Sequence, residues 1–211
     1  MKLKTFRNKF TLGLVVSLLW GWLSAQKVIE KEFILPTDAQ VELVFPWADH
    51  INFQGIKDEI PLKIIYRTEG EYQNQTFLSQ AKNIDALRIE EKFSPLALKP
   101  NDKLSAHKNI VSNVTIYAPE AVKVLLEVKD AVVEILGSVS ELDLQQQNGL
   151  CLWEASLQKG HIESVESNVK VHSKSIRVLA SSQNGSVDIL PIGEKPPQLI
   201  VQSINGDIMQ R

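Results

Sequence analysis

The sequence predicts an all-β protein in which an antiparallel β-rich first part is followed by a short single-coil β-solenoid or β-roll of about five 18-residue rungs. Three observations predict it. The tight-turn dipeptide Asn-Gly occurs at 148–149, 184–185 and 205–206. Short apolar stretches alternate with polar residues, and no long helical stripe appears. In the second half, this alternation keeps one phase from rung to rung.

The first 25 residues predict a secretory signal peptide. Four basic residues precede an apolar run over 11–23, which is too short to span a bilayer comfortably, and Ser24-Ala25 offers a small-residue cleavage site. An uncleaved membrane anchor is the alternative. We therefore expect an exported protein in the periplasm, on the outer-membrane surface or secreted, with no stable membrane span after cleavage.

Charge and cysteine content narrow the classes of partner. The first 25 residues hold four of the 23 basic residues and none of the 25 acidic ones, so the remainder has a net charge of −6. An acidic exported chain is a poor candidate for binding nucleic acid. Cys151 is the only cysteine, so no internal disulfide can form. Because it lies between Leu150 and Leu152, its side chain is expected to be buried and to behave as a small apolar group.

The first half of the chain reads as antiparallel strands without a repeat, in a small sandwich or an irregular cap. Five short stretches rich in β-branched or aromatic residues alternate with turn signals such as Lys99-Pro100-Asn101-Asp102. They are 28–35, 41–45, 60–66, 86–93 and 113–117.

The second half has an 18-residue period. Small residues mark one corner of each predicted rung, with spacings of 18, 18, 18 and 21: Ala131, Gly149, Ser167, Gly185 and Gly206. The longer last spacing contains IGEKPP, which predicts a bulging loop. The phase fails before Pro119, so the repeats are expected to begin near Val122.

Alternation within each rung predicts which side chains point inward. Of 20 predicted inward positions 18 are apolar, whereas only 7 of 25 predicted outward positions are, so a shared core is expected. The inward residues are Val124, Leu126, Val133, Ile135, Leu142, Leu144, Cys151, Trp153, Gly160, Ile162, Val169, Val171, Val178, Ala180, Val187, Ile189, Leu199, Val201, Ile208 and Gln210. A left-handed β-helix of hexapeptide repeats also has 18 residues per coil, but its six-residue apolar series fails at Gln145, Glu163 and Ser175.

We therefore divide the chain into a signal peptide over 1–25, a β-rich N-terminal part or cap over 26–118 and solenoid repeats over 119–211. One continuous domain over 26–211 is the alternative. The chain stops at Arg211 inside the fifth rung, so the last strand edge is expected to be unpaired and open to self-association.

The stretch VTIYAPEAVKVLLEVKDAVVEIL at 114–136 and the repeated Asn-Gly corners that follow resemble the bacterial putative-adhesin family of unknown function and the related auto-transporter adhesin head domain. The resemblance covers roughly residues 28–211. It implies a β-solenoid or β-roll fold outside the cytoplasm, and it brings no catalytic residues.

Residues that could carry chemistry give weak signals. His50, His107, His161 and His172 have no metal-ligand spacing, and no nucleophile elbow or phosphate loop occurs. The corner residues Asp130, Asn148, Glu166, Asn184 and Asn205 could form a calcium ladder, or an amide ladder that bonds neighbouring corners. We expect the second, and we assign no catalytic, cofactor or metal residues.

Two aromatic residues require a choice between anchor and sugar platform. Trp47 follows Pro46 in a turn and could serve as either, whereas Trp153 falls at an inward position and is expected in the core. The expected function is a non-enzymatic envelope or cell-surface protein, an adhesin-like binding or structural module for an unknown protein or glycan. A polysaccharide lyase or hydrolase on a β-helix and an envelope-stress sensor are the alternatives.

Overall fold

The computed structural model describes residues 27–36, 39–70, 73–82, 86–95, 110–191 and 193–211. The predicted signal peptide and His107 lie outside these residues. The described residues form 13 strands and one 3₁₀ turn, Gln73–Gln75, and contain no α-helix, so the all-β prediction is confirmed. The strands are β1 Lys27–Phe33, β2 Gln40–Phe45, β3 His50–Ile56, β4 Leu62–Gly70, β5 Thr76–Lys82, β6 Ala86–Phe93, β7 Ile110–Pro119, β8 Lys123–Trp153, β9 Ser156–Val171, β10 Val178–Ser182, β11 Val187–Asp188, β12 Leu199–Ser203 and β13 Ile208–Gln210. They make one sheet curled into a half-barrel.

The 18-residue period appears as parallel register in the middle of this sheet. Rung A (124–135) and rung B (142–153) both belong to the long strand β8, and rung C (160–171) belongs to β9. Rung C pairs with rung B at an offset of 18, with Trp153 opposite Val171. Rung B follows rung A at a similar offset, since the backbone N–H of Glu154 donates to the Ile135 carbonyl at 2.8 Å.

The last two rungs are exchanged relative to chain order. Rung D (199–210, β12 and β13) pairs with rung C on one side and with rung E (178–189, β10 and β11) on the other. The prediction that the final rung of the chain has an unpaired edge is therefore wrong. Among the described residues the free edge belongs to rung E, and its predicted inward residue Val187 is 41% exposed.

The chemistry of rungs D and E explains the exchange. An inner rung is covered on both flanks, and Leu199, Val201 and Ile208 of rung D are buried there, whereas Ala180 of rung E is half-buried. Asp207 also bonds to both neighbours. Its backbone N–H donates to Asn168 Oδ1 of rung C at 2.9 Å, and its carboxylate accepts from Ser186 of rung E.

The stack continues beyond rung A with strands from the first half of the chain. β2 and β3 lie parallel to rung A, and β6 and β7 lie parallel to β2 and β3. The prediction of antiparallel strands is therefore wrong for these pairs. It is correct for β4 and β5, which pair antiparallel with β7 and β6, and for β1 beyond β4.

The N-terminal end of the stack has a covered edge. Lys27 Nζ of β1 donates to the Thr76 carbonyl at 2.7 Å, and Lys31 Nζ donates to the Leu78 carbonyl at 3.2 Å. Both carbonyls belong to β5, so lysine side chains span from one edge strand to the other. Lysine is a common way to block strand edges from further pairing.

One continuous hydrophobic core runs through the stack, and of the 20 predicted inward residues 17 are buried, 15 of them as members of this core. The three exceptions, Ala180, Val187 and Ile189, all belong to rung E, which has a neighbour on one side only. Gln210, a polar residue at an inward position, is buried because its Nε2 donates to the Ser173 and Ile176 carbonyls, both at 2.8 Å.

Close backbone contact at the corners leads to a stability prediction for Gly206→Ala. A Cβ atom at Gly206 would lie 1.8 Å from the Ser167 backbone oxygen, which cannot move without breaking the pairing of rungs C and D. We expect a loss of about 1–3 kcal/mol in the free energy of unfolding, measured by urea denaturation. The control is Gly193→Ala, where nothing lies within 4 Å of the added atom and a change within about 0.5 kcal/mol is expected. Equal urea midpoints for the two variants would contradict the contact.

Candidate functional site

A groove of about 830 Å³ crosses the rungs where the first strand of each rung meets the corner. Each of five rungs contributes three consecutive residues, and β2 begins the row with two. The lining residues, in their order along the stack, are Val44 and Pro46, then 127–129, 145–147, 163–165, 202–204 and 181–183. With neighbouring strands about 4.8 Å apart, six strands span roughly 24 Å.

The strand register places the groove residues in three ladders. The first wall consists of Val44, Glu127, Gln145, Glu163, Gln202 and Ser181, which are matched residue by residue across the sheet. The second wall, two residues further along each rung, consists of Pro46, Lys129, Gln147, Val165, Ile204 and Gln183. Between the walls the floor is formed by Val128, Gln146, Ser164, Ser203 and Ser182.

Polar side chains on the groove walls have free hydrogen-bonding groups. Among the described residues, Glu127, Gln145 and Gln202 have no side-chain hydrogen bond or ion pair. Glu163 has only a long contact, 3.8 Å from Glu163 Oε1 to His161 Nε2. These groups can therefore bond to a molecule that enters the groove.

The flat surface beside the groove differs, because its charges are paired across rungs. Lys159 Nζ lies 2.9 Å from Glu141 Oε1, and Lys123 Nζ lies 3.6 Å from Glu141 Oε2. The hydrogen bond from Lys159 lowers the pKa of the Glu141 carboxyl. The charged groups of this surface therefore satisfy one another, unlike the polar groups on the groove walls.

The groove floor contains a buried amide with an unused acceptor. Gln146 Nε2 donates to the Ala131 carbonyl at 2.7 Å and to the Asn148 carbonyl at 3.0 Å, which fixes the orientation of the amide. Gln146 Oε1 then has no hydrogen-bond partner in the structure, even though the residue is buried, with only 3% of its surface exposed. A buried acceptor without a donor is costly. Gln146 alternates with the exposed Gln145 and Gln147, so its side chain points to the core side of the sheet and not into the groove.

Four of the five corner residues next to the groove form two bonded pairs, which agrees in part with the amide-ladder interpretation, whereas Glu166 between the pairs has no side-chain bond to either one. Asn148 Nδ2 donates to Asp130 Oδ1 at 2.6 Å, and Asn184 Nδ2 donates to Asn205 Oδ1 at 2.7 Å. Because rungs D and E are exchanged, Asn205 rather than Asn184 follows Glu166 along the stack. The described residues contain no group of three or more His, Cys, Asp or Glu side chains that could hold a metal ion.

The remaining residues singled out by the sequence lie in the core or beside a glutamate. Cys151 is fully buried, and burial raises the pKa of its thiol to about 12. Trp153 is also fully buried. His50 and His172 lie beside Glu134 and Glu154, at 3.4 and 3.1 Å.

Trp47 packs edge-to-face on Phe93, with ring centroids 4.5 Å apart, which supports its role as an anchor rather than a sugar platform.

Sequence reasoning missed a buried carboxyl group. Glu91 in β6 is fully buried and accepts hydrogen bonds from Tyr66 Oη at 2.5 Å, the Trp47 backbone N–H at 3.0 Å and Ser112 Oγ at 3.2 Å. The available signal was its position, because Glu91 continues the inward series of Leu87 and Ile89. The groove was missed because the chain order of its residues differs from their order in space.

Comparison with solved structures identifies relatives of the fold. The fold is similar to that of a putative cell adhesion protein from Clostridium sporogenes, with a TM-score of 0.56 and 15% identity over 89% of this chain and 100% of that chain. A putative adhesin from Bacteroides fragilis matches with a TM-score of 0.35 and 10% identity, over 89% of this chain and 99% of that one. A putative adhesin from Parabacteroides distasonis matches with a TM-score of 0.28 and 11% identity, over 89% and 98%. The first of these likenesses shows a shared fold.

No protein-family profile matches the chain. No curated protein matches it either. Within the described ranges, no helix has the length and apolar character that crossing a membrane requires.

Proposed function

We propose that this chain is an exported, non-enzymatic envelope or cell-surface protein, an adhesin-like module that binds its partner in the groove of a short β-solenoid. The observation that carries the proposal is the row of unpaired polar groups along a groove that crosses every rung. The shared fold with a protein described as a putative cell adhesion protein supports the same role.

The arrangement of carboxylates in the groove favours binding over hydrolysis. Glycosidases need two carboxyl groups that flank the bond to be cleaved. Glu127 and Glu163 instead lie on the same wall, two rungs apart, and would contact one side of a bound chain. The partner is proposed to be a glycan or protein of the envelope. If copies of the chain associate, the available edge is that of rung E, because rung D is paired on both sides.

The test has a localisation arm and a binding arm. The full chain, with a tag after Arg211, is produced in a bacterium with an outer membrane, fractionated and sedimented with isolated envelopes. We expect the tag outside the cytoplasm, a mature N-terminus at Gln26 and binding to the envelopes. Leu18→Asp, which interrupts the apolar run of the leader, should keep the chain in the cytoplasm.

Two results would contradict the proposal. One is a wild-type chain that stays in the cytoplasm. The other is release of new reducing ends from polyuronates or neutral polysaccharides by the purified chain, which would favour the carbohydrate-active enzyme instead.

A further inference from the structure

We infer that the groove binds an extended, uncharged polysaccharide with about one sugar ring per rung. The inference rests on the proposed binding function of this groove and adds the chemical class of the ligand. It is argued from the charge of the lining, its unpaired groups and its repeat.

The charge of the groove excludes strongly charged polymers. The lining contains two carboxylates, Glu127 and Glu163, and one cation, Lys129. A polyanion such as a polyuronate or a nucleic acid would meet two carboxylates on one wall and a single compensating lysine. A polycation would find only two acidic groups about 9.6 Å apart, two rungs of roughly 4.8 Å each.

The unpaired groups of the first wall match hydroxyl groups. The amides of Gln145 and Gln202 each offer donors and an acceptor, and the carboxylate of Glu163 between them accepts. A sugar hydroxyl both donates and accepts, so one kind of ligand group can bond to all three residues.

The second wall offers apolar contact opposite these polar groups. Val165 and Ile204, each 40% exposed, lie on the rungs of Glu163 and Gln202. Sugar rings have apolar C–H faces as well as hydroxyl edges, so a ring between the walls can pack on the aliphatic side chains and bond to the polar wall. The two-sided character of the groove therefore fits a sugar chain.

The repeat of the groove favours a polysaccharide over an extended peptide. The wall presents one outward side chain per rung, about every 4.8 Å. A pyranose ring with its linkage is of comparable length, so successive rings can meet successive rungs. An extended peptide advances by about 3.3 Å per residue, so its backbone groups would lose phase with the rungs. The groove also crosses the strands instead of running along one, so a peptide that lay along it could not pair with a strand over its length.

The test measures binding of defined oligosaccharides to the full chain after export. The probes are the dimer, tetramer and hexamer of β-1,4-linked glucose, mannose and N-acetylglucosamine, a galacturonic acid hexamer and a decapeptide of alternating Gln and Ser, all measured by calorimetry. We expect at least one neutral series to bind, with affinity rising from dimer to hexamer as more rungs are contacted. The charged hexamer and the peptide should not bind.

A matched pair of variants ties binding to the groove. Gln145→Ala combined with Gln202→Ala removes two unpaired amides. The double variant should bind the neutral hexamer with an affinity roughly 10- to 100-fold lower than that of the wild type. Gln158→Ala, an exposed glutamine outside the lining, should leave the affinity unchanged. Thermal melting of both variants should match the wild type, because neither wall amide has an intramolecular bond to lose.

Three results would overturn the inference: no neutral hexamer binds at millimolar concentration, the double variant binds as well as the wild type, or the charged hexamer or peptide binds more tightly. If the chain binds envelopes but no neutral glycan, the proposed function stands and this inference fails. If the chain stays in the cytoplasm, the proposed function fails whatever the groove binds.

Discussion

Replacing Trp153 by alanine is expected to lower the free energy of unfolding by about 3–5 kcal/mol, the usual range for deleting a large buried aromatic side chain. Trp153 is fully buried at the end of rung B, and rung C places Val171 directly opposite. Its indole Nε1 donates to the Ala155 carbonyl at 3.0 Å, so alanine removes both packing and a hydrogen bond. Rung B lies in the middle of the stack, where the neighbouring rungs cannot close over a large cavity easily.

The measurement is urea denaturation followed by circular dichroism. Leu152→Ala is the matched control, because Leu152 is the preceding residue, points to the other side of the sheet and is half-buried. Leu152→Ala should lower the free energy of unfolding clearly less than Trp153→Ala does. If the two variants lose the same stability, the inward and outward assignment of rung B is wrong.

Replacing Glu91 by alanine is expected to cost about 3–5 kcal/mol, since it removes the acceptor of a buried polar network. Tyr66 Oη, Ser112 Oγ and the Trp47 backbone N–H would each lose a partner. Burial, together with the nearby Glu91 carboxylate, raises the pKa of Tyr66, so its hydroxyl stays protonated and donates at all ordinary pH values. Glu91→Gln keeps one acceptor oxygen and should cost less than Glu91→Ala.

Glu90→Ala is the control for this network. Glu90 is the preceding residue on the outer side of β6, with ion pairs to Arg88 and Lys92. Pairs of this exposed kind contribute about 0–1 kcal/mol, so a small change is expected. A double-mutant cycle of Tyr66→Phe and Glu91→Gln should also show coupling, and additive losses would mean that the two side chains do not act together.

Much of the local structure follows from the sequence. Alternation identifies the buried face of every inner rung, because a strand has a period of two and a one-residue error would move its whole apolar set into water. Gly149 and Gly206 mark corners where neighbouring backbones approach too closely for a side chain. The amide ladder of the corners follows from the same spacing, since equal rungs bring equal positions together.

The pairing of the first half could not be read in the same way. β2 and β3 stack on rung A although the paired residues are 83 and 82 positions apart in the chain, so the 18-residue period does not connect Leu43 to Leu126 or Phe53 to Ile135. Parallel pairing with distant strands depends on which faces fit in space. The groove could not be predicted from the sequence for the same reason. Its walls combine residues near β2 with rungs whose order in space differs from their order in the chain.

The sequence alone determined that this protein is all-β, that an 18-residue period relates rungs A, B and C, and which side chains of the inner rungs meet in the core, because these properties depend on local periodicity. Only the tertiary structure decided the order of the rungs. Rungs D and E have compatible patterns, and either could stack on rung C by periodicity alone. The inner place goes to the rung that buries larger aliphatic side chains and whose Asp207 can bond on both flanks, since that place is covered on both sides.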